Sequence, residues 1–85
     1  MSKRKLAEKL NIPEDVVYGR PVVTVTGIEE IYVENSKGIL EYHKSCIRIL
    51  TKEGHILFLG DELEIVYYSN TDMKIKGKIE SINYS

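Results

Sequence analysis

Eighty-five residues, 42% hydrophobic and 29% charged, suffice for one small domain and are too apolar for a disordered chain. A net charge of −1 argues against a dedicated nucleic-acid binder, and the single cysteine, Cys46, excludes an intramolecular disulfide and fits a reducing compartment. No apolar run approaches the roughly 18–20 residues of a membrane span, and none follows Ser2-Lys3-Arg4-Lys5 as a signal peptide requires, so a cytoplasmic chain without its own transmembrane segment is expected.

Residues 1–20 read as an amphipathic N-terminal helical arm and residues 21–85 as a single all-β domain. The arm carries five Lys/Arg against three Asp/Glu, a balance of +2, which leaves −3 on the body. Ser2 can cap a helix running through Leu10, with Leu6 and Leu10 one turn apart on one face. A helix this short does not persist alone in water, so Leu6 and Leu10 need a surface. That surface is either an open end of the sheet, a partner, or an anionic membrane. Asn11 and Pro13 end the helix, Pro13 to Tyr18 form a short helical turn, and Gly19 stops it.

From Pro21 the period changes to two. Val22-Val23-Thr24-Val25-Thr26 is a dense β-branched strand that ends at Gly27. Ile31 and Val33 alternate with Glu30, Tyr32 and Glu34 up to Asn35-Ser36-Lys37-Gly38, which reads as a hairpin turn. Ile39, Glu41 and His43 then alternate with Leu40 and Tyr42, and Lys44-Ser45 breaks the run before the next strand, Cys46 to Thr51. Lys52-Glu53-Gly54 is a compact turn. Ile56-Leu57-Phe58-Leu59, apolar on both faces, reads as a central strand. Gly60-Asp61 punctuates, Leu63, Ile65 and Tyr67 resume the alternation, and Ser69-Asn70-Thr71-Asp72 turns the chain into a last strand. There Met73, Ile75, Gly77 and Ile79 share one face and Lys74, Lys76, Lys78 and Glu80 the other. Ile82 and Tyr84 have the wrong parity for that face, which predicts a bulge near Glu80-Ser81. Seven short strands with tight turns make the chain mainly β, an antiparallel meander forming a small sandwich, roll or partly closed barrel, with a short N-terminal helix.

Little in the sequence points to catalysis. His43, His55 and Cys46 are the residues suited to a metal or nucleophile site, but no CxxC or HxxxH pair occurs and His43 and Cys46 straddle the predicted strand break. No metal, no cofactor and no catalytic residue is therefore expected. The carboxylates fall at turns or on solvent-facing positions, where nothing tunes them for acid–base work. Lys74, Lys76 and Lys78 form a basic stripe that could meet phosphate or an anionic headgroup; lysines on an exposed strand also keep sheets from pairing with strangers. Six tyrosines in a chain without tryptophan suit an interface, and the adjacent Tyr67-Tyr68 pair must face both sides of its strand. Interaction candidates are Leu6, Leu10, Tyr32, Tyr67, Tyr68, Lys74, Lys76 and Lys78. Open sheet edges make self-association an option.

Taken in order, Leu10-Asn11-Ile12-Pro13-Glu14-Asp15-Val16, Pro21-Val22-Val23-Thr24-Val25-Thr26-Gly27 and Ile31-Tyr32-Val33-Glu34-Asn35-Ser36-Lys37-Gly38-Ile39-Leu40 resemble the YabP/YqfC family of sporulation proteins, its YqfC branch most closely. The similarity continues through Ile47-Arg48-Ile49, the apolar strand ending in Gly60, and Lys76-Gly77-Lys78-Ile79-Glu80-Ser81-Ile82. The resemblance implies a non-enzymatic role in endospore formation, in the mother cell of a Gram-positive bacterium. Proteins of this kind are similar to ones encoded beside membrane-embedded sporulation proteins, which implies another sporulation protein, membrane-embedded, as partner and recruitment to the forespore membrane. No catalytic residues carry over; Asn35 and Gly38 match the family's turn, and Gly27 and Gly77 its strand breaks.

Overall fold

The β-branched and alternating runs from Val22 onward form strands, as their side chains require. A computed structural model describes residues 19–85. The expected helix through Leu10 lies outside them, and no helix occurs among the described residues. The strands are β1 (Val22–Thr26), β2 (Glu30–Glu34), β3 (Ser36–Tyr42), β4 (Cys46–Thr51), β5 (Gly54–Tyr68) and β6 (Met73–Tyr84). They make one antiparallel sheet of six strands in the order β1-β2-β6-β5-β4-β3, open at β1 and β3 and so not closed into a barrel.

Two expectations need correction. The separate strands expected on either side of Gly60-Asp61 are one strand of 15 residues, so the described sheet has six strands instead of seven. Backbone pairing with β6 continues through the glycine, and Gly60 marks a bend instead of a break. The hairpin expected at Asn35-Ser36-Lys37-Gly38 also does not form, because β2 pairs with β1 and β6 while β3 pairs with β4. Asn35 alone separates β2 from β3, in a left-handed conformation (φ 64°) that asparagine tolerates. Its Nδ2 donates to the Arg20 carbonyl at 2.7 Å. Ser36 donates twice to the Thr71 carbonyl, from its N–H at 2.7 Å and its hydroxyl at 3.0 Å. These bonds turn the chain through a corner to the far edge of the sheet.

β5 and β6 hold the two ends together. Residues Gly54 to Leu59 of β5 pair with β4, and Met73 to Lys76 of β6 pair with β2; beyond those segments each long strand continues alongside the other only. Register shifts mark the crossing. Leu59 faces Ser81 and Gly60 faces Ile79, leaving Glu80 as the extra residue at the position where the parity of Ile82 required one. A second shift lies between Asp61 and Glu64, where Glu62 takes φ 52° and Gly77 opposite takes φ 136°.

The hydrogen-bonding edges exposed at this bend are covered by the tips of the other two hairpins. Gly77 and Ile79 of β6 donate to the Glu29 and Ile28 carbonyls at 3.1 and 2.8 Å. Gly60 and Leu63 of β5 donate to the Ser45 and Lys44 carbonyls at 3.0 and 2.8 Å. The β1–β2 and β3–β4 hairpins thus play matching roles on β6 and β5, one on each strand.

The core lies on one side of the sheet. Ile31, Val33, Ile47, Ile49, Ile56, Phe58, Leu63, Met73 and Ile75 form one buried cluster, flanked by Val23, Ile39, Ile65, Ile79 and Ile82. Cross-strand register accounts for it: Ile31 faces Ile75, Val33 faces Met73, Ile49 faces Ile56, and Phe58 lies between Ile47 and Ile82. Because residues from both ends of the sheet meet in one cluster, the bend at Gly60 and Gly77 is what gives the sheet an interior at all. Buried Thr51 is satisfied locally, its hydroxyl donating to the Gly54 carbonyl at 2.8 Å and accepting the Glu53 N–H at 3.1 Å across the Lys52-Glu53 turn.

Candidate functional site

Alternation that buries Ile31, Val33, Met73 and Ile75 sends their neighbours to the opposite, solvent-side face of β1, β2, β6 and β5. There the register builds two rows. Thr24, Tyr32, Lys74 and Tyr67 lie in one row across the four strands, and Thr26, Glu30, Lys76 and Glu64 in the next. Four of the residues expected to interact, Tyr32, Tyr67, Lys74 and Lys76, are therefore brought onto one face. Tyr68 is opposite Met73, at the strand end, and about half exposed. Lys78 lies past Gly77 opposite Asp61. Leu6 and Leu10 lie outside the described residues.

The lysine stripe is not a bare cationic surface. Glu30 lies 3.8 Å from the Lys74 ammonium and 3.5 Å from that of Lys76, with Glu64 in register on the other side of Lys76. Lys76 and Lys78 also border a shallow hollow of about 280 Å³ that Glu29 and Glu30 share. Exposed ion pairs of this kind contribute little to stability, but they cancel much of the local field that would attract an anion. The acids that do so sit on a different strand from the lysines, which is why the lysine spacing alone did not reveal them.

Beyond the first row, Tyr32 donates its hydroxyl to Asp72 Oδ2 at 3.4 Å, and Asp72 Oδ1 accepts the Asn35 N–H at the same distance. Partial burial, and then the Asp72 carboxylate, raise the Tyr32 phenol above its ordinary value of 10.0. A raised folded pKa favours the neutral phenol, so this contribution to stability is complete below the unfolded value and is lost as pH rises through the folded one. In an alkaline absorbance titration, Tyr32→Phe should remove a component that titrates above the ordinary tyrosine value; an unchanged high-pH limb would contradict the assignment. On the other side of Asn35, whose side chain holds the Arg20 carbonyl, Arg20 donates to both carboxylate oxygens of Glu53, at 2.6 and 3.3 Å, and holds that carboxyl below its usual range.

A second site lies at the β3–β4 hairpin. His43 and Cys46 exchange main-chain hydrogen bonds, 2.8 Å from the His43 N–H and 3.3 Å from that of Cys46, so Lys44-Ser45 is a two-residue hairpin loop. Such a pair projects both side chains from one face, and Glu41, two residues before His43, projects from that face as well. The ligand atoms of Glu41, His43 and Cys46 all lie within 4.8 Å of one another. The spacing concealed this cluster because Lys44-Ser45 lacks the glycine or asparagine of a strong turn signal and reads as a break. His43 also lines an open cleft of about 580 Å³ with Tyr42, Lys44, Glu62, Leu63, Glu64 and Ile65. Tyr42 reaches across it, its hydroxyl accepting the Ile65 N–H at 2.9 Å. His55 lies apart, at the far end of β5, where its main chain pairs with Ser85 at 3.0 Å.

No solved structure matches the chain. It is 29% identical over 82 residues to the uncharacterized protein YqfC of Bacillus subtilis (strain 168), a match covering 96% of this chain and 88% of that relative. The model of the YabP family matches residues 19–85, all of the described sheet, and the chain accordingly belongs to the YabP family.

Proposed function

We propose that this chain is a non-enzymatic assembly domain of endospore formation, acting in the mother cell and recruited to the forespore membrane by another, membrane-embedded sporulation protein. One observation supports the binding role above others. The Tyr32, Lys74 and Tyr67 row ends at the segment Glu64 to Tyr68 of β5, which pairs with β6 on one side and with no described strand on the other. An aromatic row beside a strand edge that no described strand covers, its Ile65 N–H held by the Tyr42 hydroxyl that an incoming strand would displace, offers what β-strand addition uses, main-chain hydrogen bonds for affinity and side-chain contacts for selectivity. Tyr67 and Tyr68 are 49% and 50% exposed, so a partner would cover apolar surface that the fold itself leaves in water.

An anionic-headgroup reading of Lys74, Lys76 and Lys78 has less behind it, since Glu29, Glu30 and Glu64 are interleaved with those lysines.

A fluorescently tagged copy followed in a sporulating culture, with a deletion strain scored for heat-resistant spores, tests the proposal. Signal concentrated at the forespore boundary and a loss of heat-resistant spores is the expected result. Diffuse signal together with normal spore yield would remove the basis for an assembly role in sporulation.

A further inference from the structure

The geometry points to a divalent-metal site at the tip of the β3–β4 hairpin, formed by Glu41, His43 and Cys46 and suited to zinc. The hairpin itself performs most of the organisation. His43 and Cys46 are fixed opposite each other by their paired main-chain bonds, and Glu41 follows one rung away on the same face. Tetrahedral zinc with sulfur, nitrogen and oxygen ligands separates those atoms by roughly 3.4–3.6 Å, as its bond lengths of about 2.0–2.3 Å dictate. The three donors already lie within 4.8 Å, and Glu41 and His43 are exposed, so side-chain rotation can close the remaining distance.

Donor chemistry narrows the ion. One thiolate, one imidazole and one carboxylate make a mixed set that suits zinc and excludes magnesium and calcium, which demand oxygen ligands. Arg48 Nε donates to Glu41 Oε1 at 3.0 Å, which orients the carboxylate and leaves Oε2 for the ion. An outer partner of this sort is typical of metal ligands. Three protein ligands leave a fourth position for water, and His43 borders the cleft through which water and ion would enter. The site shares no residue with the tyrosine–lysine face, so it stands or falls independently of the proposed assembly role.

Binding of cobalt(II), a spectroscopic substitute for zinc, to the reduced full-length chain tests the site. The native protein should develop a thiolate-to-cobalt charge-transfer band that saturates at one ion per chain and is displaced by zinc. His43→Ala should weaken binding by about tenfold or more, as loss of a ligand or its orienting partner does. His55→Ala, which alters the other histidine, should bind as the native chain does, and circular dichroism should show both variants folded. Absence of the band, unchanged affinity in His43→Ala, an equal loss in His55→Ala, or one ion per two chains would each overturn the assignment.

Discussion

Alanine at Gly77 is expected to cost about 3 kcal/mol or more, a large share of the stability of so small a domain. A Cβ there would lie 2.6 Å from the Glu62 carbonyl oxygen and 2.9 Å from Leu63 Cα, on backbone at φ +136° that L side chains rarely adopt. Neither neighbour can move aside, because both belong to the paired strand at its second register shift. Gly60 is equally constrained for a different reason: its Cβ would overlap the Lys78 carbonyl oxygen and press on Leu63 Cδ2 at 2.9 Å. A domain of this length has a total stability of only about 4–13 kcal/mol, so Gly60→Ala and Gly77→Ala should each move the urea midpoint down by more than about 1 M. Gly38→Ala is the control, with nothing within 4 Å of its added methyl. That variant should unfold within about 0.5 kcal/mol of the native protein. Native-like midpoints for both bend variants would show that the sheet does not depend on close backbone contact at the crossing.

The other large effect belongs to Phe58. It is fully buried, paired with Ile47 on one side and Ile82 on the other, and is the only phenylalanine in the chain. Phe58→Ala removes the largest buried side chain from a cluster that both ends of the sheet share, so the surrounding strands cannot collapse on the void without breaking register. The expected loss is about 3–5 kcal/mol, which in a domain of this size lowers Tm by roughly 12–40 °C. Phe58→Leu, which retains most of the volume, should cost much less. Tyr67→Ala on the outer face should melt within a few degrees of the native protein. If Phe58→Ala melted as Tyr67→Ala does, the cluster would not be the core of the fold.

Features that depend on alternation were readable in advance. The wrong parity of Ile82 and Tyr84 located the bulge at Glu80, because a period of two leaves no other way to place both halves of β6 against one core. Two-sided apolarity at Ile56-Leu57-Phe58-Leu59 likewise marked an interior strand, and Leu57 and Leu59 are half-buried on the side away from the core. What alternation does not encode is which strands become neighbours. Asn35-Ser36-Lys37-Gly38 has the composition of a hairpin turn, yet bonds to Arg20 and Thr71, distant in sequence, turn it into a corner. Gly60 has the composition of a break, yet it is a glycine because another backbone passes against it.

The same limit governs the sites. Tyr32, Lys74 and Tyr67 were legible as exposed positions, but their alignment in one row required β6 to lie between β2 and β5, a pairing across about 40 residues of chain. Glu30 is as exposed to inspection as the lysines are, but only that pairing shows that it sits between two of them. His43 and Cys46 needed less: one correct assignment of the Lys44-Ser45 loop would have placed them face to face.

The crossing of β5 and β6 also orders events at the ribosome. The β1–β2 and β3–β4 hairpins emerge first, yet the main-chain groups on which their tips dock, at Gly60, Leu63, Gly77 and Ile79, are all made later. Their apolar faces, Ile31, Val33, Ile47 and Ile49, wait for Phe58, Met73 and Ile75 to cover them. Until the second half of the chain is synthesised the nascent protein is two unsealed ribbons, so its native state is reached after translation of β6 and not progressively along the chain.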